Sequence, residues 1–317
     1  MVAPSSATFQ RPDLGSAFQE LSIIAQNNGF IGMDILPAFE TPLATANFSV
    51  IPVDQLLQQR DTTRAPGAGY SRGTYTFEQS SFTTQEYGAE EPVGDRERSI
   101  YSYSFDLERV AAERAVGFVM RQHEQQVADA IMNTSTFANS AAGTTWATSA
   151  TATPIANVFS AIKSVRTQSG LEANCVVMDL NLFLDLKACE EVIDRVKYGG
   201  GNEDPANISA QALAEIFGVE KVLVSRGSKN TAQQGQAASL SGIFNNTRCF
   251  VGRVSTGLDL RDACVGRTFL NTNDGAGSLV LEQYRDEPRR ADIIRARLDF
   301  DAKIIYADAG HIITGCA

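Results

Sequence analysis

The chain has 317 residues, 43% of them hydrophobic and 20% charged, with a formal net charge of −10. That apolar share supports a sizeable core and excludes a wholly disordered chain, while the acidic balance lacks the footprint of a nucleic-acid-binding domain. No run of about 18 apolar residues predicts a membrane span, and Met1-Val2-Ala3-Pro4-Ser5-Ser6 lacks the basic and apolar regions of a secretory signal.

Residues 1–45 carry little core of their own. Ala17 to Gln26 predicts a short helix with Phe18, Leu21, Ile24 and Ala25 on one side, stopped by Asn27-Asn28-Gly29. An extended run with Pro37 and Pro42 follows. Residues 46–82 read as a long hairpin: Ala46–Val53 and Ser71–Thr83 alternate as strands, and Arg60-Asp61-Thr62-Thr63-Arg64-Ala65-Pro66-Gly67-Ala68-Gly69 breaks regular structure between them. A two-stranded arm of this length is marginal alone, so it must pack on the body or on a neighbour. Residues 84–104 read as a charged, solvated connector around Glu86, Glu90, Glu91, Asp95, Arg96, Glu97 and Arg98.

The longest helix is predicted from Asp106 to Met132, with Asp106 favourable at its N-terminus. Val116, Val119, Met120, His123, Val127 and Ile131 form one apolar stripe, and Leu107, Val110, Ala111, Ala115 and Phe118 form a second. Two such stripes predict a helix sandwiched between layers. Asn133 to Thr153 reads as a surface loop around the only tryptophan, Trp146. An α/β series follows. It begins with a helix entered at Thr153-Pro154 and ended by Gly170, a buried strand over Asn174–Leu180, and helices near Asn181–Ala188 and Glu191–Tyr198. A helix over Ser209–Phe217 closed by Gly218 and a strand over Lys221–Ser225 complete it. From about residue 240 strands dominate, at Cys249–Val254, Ser278–Arg285, Asp292–Leu298, Ala302–Ala307 and His311–Thr314.

Little in the sequence offers chemistry. Cys175, Cys189, Cys249, Cys264 and Cys316 form no CxxC and no zinc spacing, and read as buried free thiols in a reducing compartment. Of the two histidines, His123 reads as a core or interface residue, and His311 has no evident partner. His123-Glu124 does not extend to HExxH, because position 127 is Val127. There is no GxSxG elbow, phosphate loop or GxGxxG after a strand. Asp292, Asp299 and Asp301 lie between basic residues and read as a solvated or interface charge pattern. No catalytic, cofactor-binding or metal-binding residue is predicted. The competing reading is a cytosolic α/β enzyme with an unrecognised site; a decoration or tail protein is a third, disfavoured by the long central helix and the α/β series.

The ordered series carries a resemblance. Thr63-Arg64-Ala65-Pro66-Gly67 is similar to the hairpin tip of one group of phage major capsid proteins. Thr153-Pro154-Ile155-Ala156-Asn157-Val158 and Gly170-Leu171-Glu172-Ala173-Asn174-Cys175-Val176-Val177 are similar to that group's entry into its axial domain. Asp194-Arg195-Val196-Lys197-Tyr198 and Leu213 to Val224 continue the match, which covers about residues 45–235, with a weaker one at Asp308-Ala309-Gly310-His311-Ile312. The chain thus resembles tailed-bacteriophage major capsid proteins of the Hong Kong 97-like fold, an α+β class.

The resemblance implies an N-terminal arm at 1–45 and an extended E-loop at 46–84. It implies a peripheral domain at 85–153 and 241–299 with a spine helix at 106–132, and an axial domain at 154–240 and 300–317. It implies an icosahedral shell of hexamers and pentamers that encloses double-stranded DNA without sequence-specific binding, in a virion assembled in the host bacterial cytoplasm. The implied partners are other copies, a separate scaffolding protein, a portal and a decoration protein, with no membrane and no cofactor. Arg60, Arg64, Pro66, Arg72, Tyr75 and Phe77 become candidate intersubunit contacts. One departure matters: the founding member cross-links through an E-loop lysine, and here the first lysine is Lys163.

Overall fold

A computed structural model describes residues 9–10, 29–50, 52, 55, 57–70, 72–73, 76–101, 106–198, 208–233, 235–257, 262–273 and 279–317. The helix expected at Ala17–Gln26 lies outside them. The chain starts with β1 (Phe9–Gln10), a four-residue helix α1 (Gly32–Ile35) and β2 (Ala38–Thr41). The predicted hairpin follows as β3 (Thr45–Val50) and β4 (Glu78–Thr83), paired antiparallel from Thr45↔Thr83 to Val50↔Glu78.

The expected solvated connector is instead regular structure. It forms the ten-residue strand β5 (Gln85–Gly94) and the helix α2 (Asp95–Tyr101). The physical reason lies far along the chain: β5 pairs with a strand carrying Arg295 and Arg297, whose guanidinium groups take up Glu90 (3.7 Å) and Glu86 (4.0 Å). Charges that looked solvated are balanced across a ladder.

The long helix α3 (Leu107–Ile131) matches its expectation within a residue at each end. The Asp106 side chain caps it, accepting from the Glu108 and Arg109 N–H groups. At about 1.5 Å per residue it spans roughly 37 Å. The first predicted stripe is buried throughout. The second is not: Ala111 and Ala115 are buried, but Val110 and Phe118 are exposed.

Residues 133–153 are not simply a surface loop either. They contain β6 (Ala138–Ala141), and Phe137, Ala142, Trp146 and Ala152 are buried. The α/β series then folds as expected: α4 (Pro154–Ser169), β7 (Cys175–Asp179), α5 (Leu180–Ala188), α6 (Glu190–Tyr198), α7 (Ala210–Phe217) and β8 (Lys221–Ser225). Gly170 and Gly218 end α4 and α7 with φ of 69° and 68°, a left-handed conformation that costs glycine nothing. The remaining strands are β9 (Ser228–Asn230), β10 (Leu240–Gly242), β11 (Arg248–Gly252), β12 (Gly266–Asn271), β13 (Val280–Asp286), β14 (Ala291–Ile304) and β15 (Gly310–Thr314).

Two sheets result. One orders its strands β6-β15-β11-β7-β8; the other runs β1-β13-β14-β12-β2, with β5 on β14. β11 pairs with β7 and β15, and β6 pairs with β15, so both sit in the sheet of the α/β series and not with β12–β14. Cys249-Phe250-Val251 is buried on both faces, which suits the middle of a covered sheet. β14 likewise runs unbroken past residue 299 and joins two strand candidates that the sequence separated. Buried side chains form two clusters. One packs α3 against β13, β14 and α1; the other packs α4, α5 and α7 around the five-stranded sheet.

Candidate assembly surfaces

The hairpin is fastened at its root and exposed at its tip. Phe82 of β4 stacks on Phe269 of β12, with centroids 4.2 Å apart and planes at 3°. Phe48 of β3 lies 5.6 Å from the same ring, and Phe39 of β2 meets it edge-on at 5.8 Å. Phe269 is fully buried, so this aromatic cluster ties the hairpin to the six-stranded sheet. The Thr83 N–H donates to Asp301 Oδ2 at 3.1 Å, reinforcing the root. Further out, Leu57 lies so close to Gly170 that a Cβ there would overlap it, yet Leu57 remains 62% exposed.

The tip has its own internal order. Ala68 N–H donates to Ala65 O at 3.0 Å, closing a turn with Pro66 and Gly67 at its centre. Gly67 has φ of 84°, so the sequence Pro-Gly meets the requirement of a type II turn. Arg64 folds back over this turn. Its Nε donates to Ala68 O at 2.7 Å, its Nη1 to Tyr70 OH at 3.2 Å, and its guanidinium lies 4.6 Å from the Tyr70 ring centroid. Tyr70 is nevertheless 74% exposed. The tip is therefore a preformed platform carrying positive charge and an aromatic ring.

The expected contact residues divide accordingly. Arg64, Pro66, Arg72 and Phe77 are exposed. Arg60 is half-buried and lies against the Gly73 backbone across the hairpin. Tyr75 lies outside the described residues. Sequence reasoning missed Tyr70, although an aromatic six residues after Arg64 across a Pro-Gly turn is where a hairpin returns its chain.

Three carboxylates read as a solvated or interface charge pattern are committed within the chain. Asp292 accepts from Arg98 at 2.7 Å and from Arg285 at 3.3 Å, Asp299 accepts from the Asn271 amide at 2.6 Å, and Asp301 holds the hairpin root. Arg285 also grips Asp95 through both carboxylate oxygens, at 2.6 and 2.7 Å. That pairing holds the Asp95 carboxyl below its usual range and locks α2 onto the end of β13.

Groups that could do chemistry are placed poorly for it. Ser140 Oγ and His311 Nε2 lie 3.0 Å apart, but His311 Nδ1 meets no hydrogen-bond partner among the described residues, so no third group orients the ring. All five thiols are buried, and burial pushes Cys175 and Cys316 up to about 12, far from the thiolate that reacts. Among the described residues no group of three or more His, Cys, Asp or Glu side chains could hold a metal ion. A polar cleft of about 640 Å³ at the C-terminal end of α3 includes Asp129, Asp179, Lys229 and Arg248 in its lining. Its two cations are already engaged, Lys229 with Gln125 and Arg248 with Met132 O.

Comparison with known proteins places this architecture. No family model matches the chain. The major capsid protein of Burkholderia phage BcepMu is 23% identical over 216 residues, a match covering 64% of this chain and 66%, just under two thirds, of that protein. Among solved structures, a phage-related protein from Bordetella bronchiseptica RB50 superposes with a TM-score of 0.68 at 17% identity, over 98% of both chains. The capsid structure of cyanophage P-SCSP1u gives 0.59 at 11% identity, over 99% of this chain and 90% of that one. The chain has the Hong Kong 97-type capsid fold. Its likeness extends nearly end to end, so the fold takes in the hairpin, the long helix and both sheets. The relatives' names describe phage and capsid proteins.

Proposed function

We propose that the chain is the major capsid protein of a tailed phage and assembles into an icosahedral head shell around double-stranded DNA. The observation that carries this reading is a hairpin anchored at its root by Phe82 on Phe269 while Arg64, Pro66 and Tyr70 form an ordered, exposed tip. An isolated fold gains nothing by ordering an exposed arm; a subunit that hands its arm to a neighbour gains pre-organisation. In this reading the hairpin is the E-loop, α3 the spine helix, the six-stranded sheet the body of the peripheral domain, and the five-stranded sheet with its helices the axial domain at the five- and six-fold centres. The exposed side of α3, with Val110 and Phe118, becomes surface available inside an assembly.

Copies interweave through E-loop and arm, with Arg60, Arg64 and Arg72 meeting carboxylates of the adjacent copy. On a chain of net charge −10, a basic tip finds acidic surface on any neighbour. The same acidity keeps the inner wall from adhering to packaged DNA. Since no lysine precedes Lys163, E-loop isopeptide cross-links are absent, and the shell is held by non-covalent contacts or by a decoration protein. A separate scaffolding protein and a portal complete the particle in the host bacterial cytoplasm.

Size-exclusion chromatography with negative-stain microscopy of the purified chain tests the reading. Shells or ring-shaped capsomers are expected; a stable monomer or dimer at every concentration, with a bound small ligand, favours the enzyme alternative. Arg64→Ala is expected to weaken assembly while leaving the subunit's circular dichroism and thermal midpoint in place, because its contacts are confined to the tip.

A further inference from the structure

α2 is attached to the body differently from the other helices. None of its seven residues is buried, and Ile100 and Tyr101 stand 57% and 44% exposed. Among the described residues, neither apolar cluster includes a member of this helix. Its fastenings are charged. Asp95 accepts both arms of the Arg285 fork, at 2.6 and 2.7 Å, and its N–H donates to Arg290 O at 3.1 Å. Arg98, almost one turn later, donates through Nη2 to Asp292 Oδ2 at 2.7 Å and to Glu108 Oε1 at 2.6 Å.

These pairs are joined through Asp292. Arg285 also donates to Asp292 Oδ1 at 3.3 Å, so each oxygen of that carboxylate holds one arginine. A chain of alternating sign results, Asp95–Arg285–Asp292–Arg98–Glu108, running through α2, β13, β14 and the first turn of α3. Glu287 stands at its margin, 3.6 Å from Arg285 Nε. The chain reaches water at the α2 residues, whose Asp95 and Arg98 side chains are 46% and 40% exposed. Dissolved salt screens such contacts, and at about 1 M the screening length falls to about 3 Å, the length of the contacts themselves. Buried apolar packing is not screened in this way.

We propose that α2 is a salt-sensitive latch: this ion chain holds it and the first turn of α3 against the six-stranded sheet, and rising ionic strength loosens both together. Arg98 is the positioning residue, because it reaches from α2 to β14 and to α3 at once. Asp292 is the joint, because both arginines end on it. α2 follows directly on β5, which begins two residues after the hairpin strand β4 ends, so the latch lies where the strands from the hairpin hand over to the helical layer. The latch is built within one subunit and does not rest on the shell reading.

Hydrogen exchange of the full chain tests this, at a protein concentration where light scattering gives the same oligomeric state at both salt concentrations. Amides 99–101 of α2 and 110–113 of α3 are read against α4 as an internal standard. Raising sodium chloride from about 0.05 M to about 1 M should speed exchange in both segments about fivefold in the wild type. Arg98→Gln should exchange fast in both segments already at low salt, with a salt response under about twofold. An absent salt response in the wild type, or an equal one in the variant, overturns the proposal. Asp292→Asn removes the joint at nearly constant size. It should speed both segments at low salt, and a variant that leaves either segment at its wild-type rate contradicts the shared chain.

Discussion

At the scale of single residues, burial decides most of the electrostatics. His123 is 1% exposed, and burial drives it from 6.5 down to about 4. The unfolded chain therefore takes up this proton first, and the stability His123 supports at neutral pH is lost as pH falls from 6.5 towards 4. The loss is at most about 3 kcal/mol. His123→Gln keeps a donor for Thr268 and removes the titration, so urea midpoints measured between pH 7 and pH 4.5 should fall less in the variant than in the wild type. Gly32 makes a separate prediction. Gly32→Ala puts a methyl group against Glu124 and the His123 ring, 2.6 and 3.1 Å away, and is expected to cost about 1–3 kcal/mol by chemical denaturation. The sequence shows that His123 sits on an apolar stripe, but it conceals Glu124, because its partners are backbone N–H groups more than 90 residues away.

Elements were legible where the signals were local. Pro154 at a helix start, Gly170 and Gly218 at helix ends, Asp106 ahead of α3 and Ser209 ahead of α7 each act within one turn, and the predicted α/β series matches the structure closely. β5 was not legible in this way. Glu86, Glu90 and Glu91 resemble a solvated connector until Arg295, Arg297 and Arg114 are brought beside them from other elements. β11 was recognised as a strand, but its place beside β7 and β15 was not readable, since pairing depends on partners 58 or more residues away. Of the hairpin, the strands and Pro-Gly turn were readable; the Phe269 anchor and the Arg64–Tyr70 platform were not. Two substitutions test these elements. Asp106→Ala removes the cap of α3 and should cost about 1 kcal/mol. Phe82→Ala opens the aromatic root and should cost about 3 kcal/mol; limited proteolysis should then cut first between residues 50 and 78, with the five-stranded sheet still protected.

The whole molecule shows one asymmetry. Both sheets and one side of α3 are satisfied within a single copy, whereas, among the described residues, Tyr70 at the hairpin tip and Val110 and Phe118 on the other side of α3 stand exposed. That combination suits a repeating subunit better than a solitary one. Particles held without E-loop lysines should run as single subunits on denaturing gels under both reducing and non-reducing conditions, and a covalent ladder in both would contradict the non-covalent reading. The most direct measurement is cryo-electron microscopy of the assembled, purified chain. The account predicts closed shells in which the tip around Arg64 and Tyr70 contacts an adjacent copy; discrete monomers or dimers, or shells whose hairpin tips touch no neighbour, would contradict it.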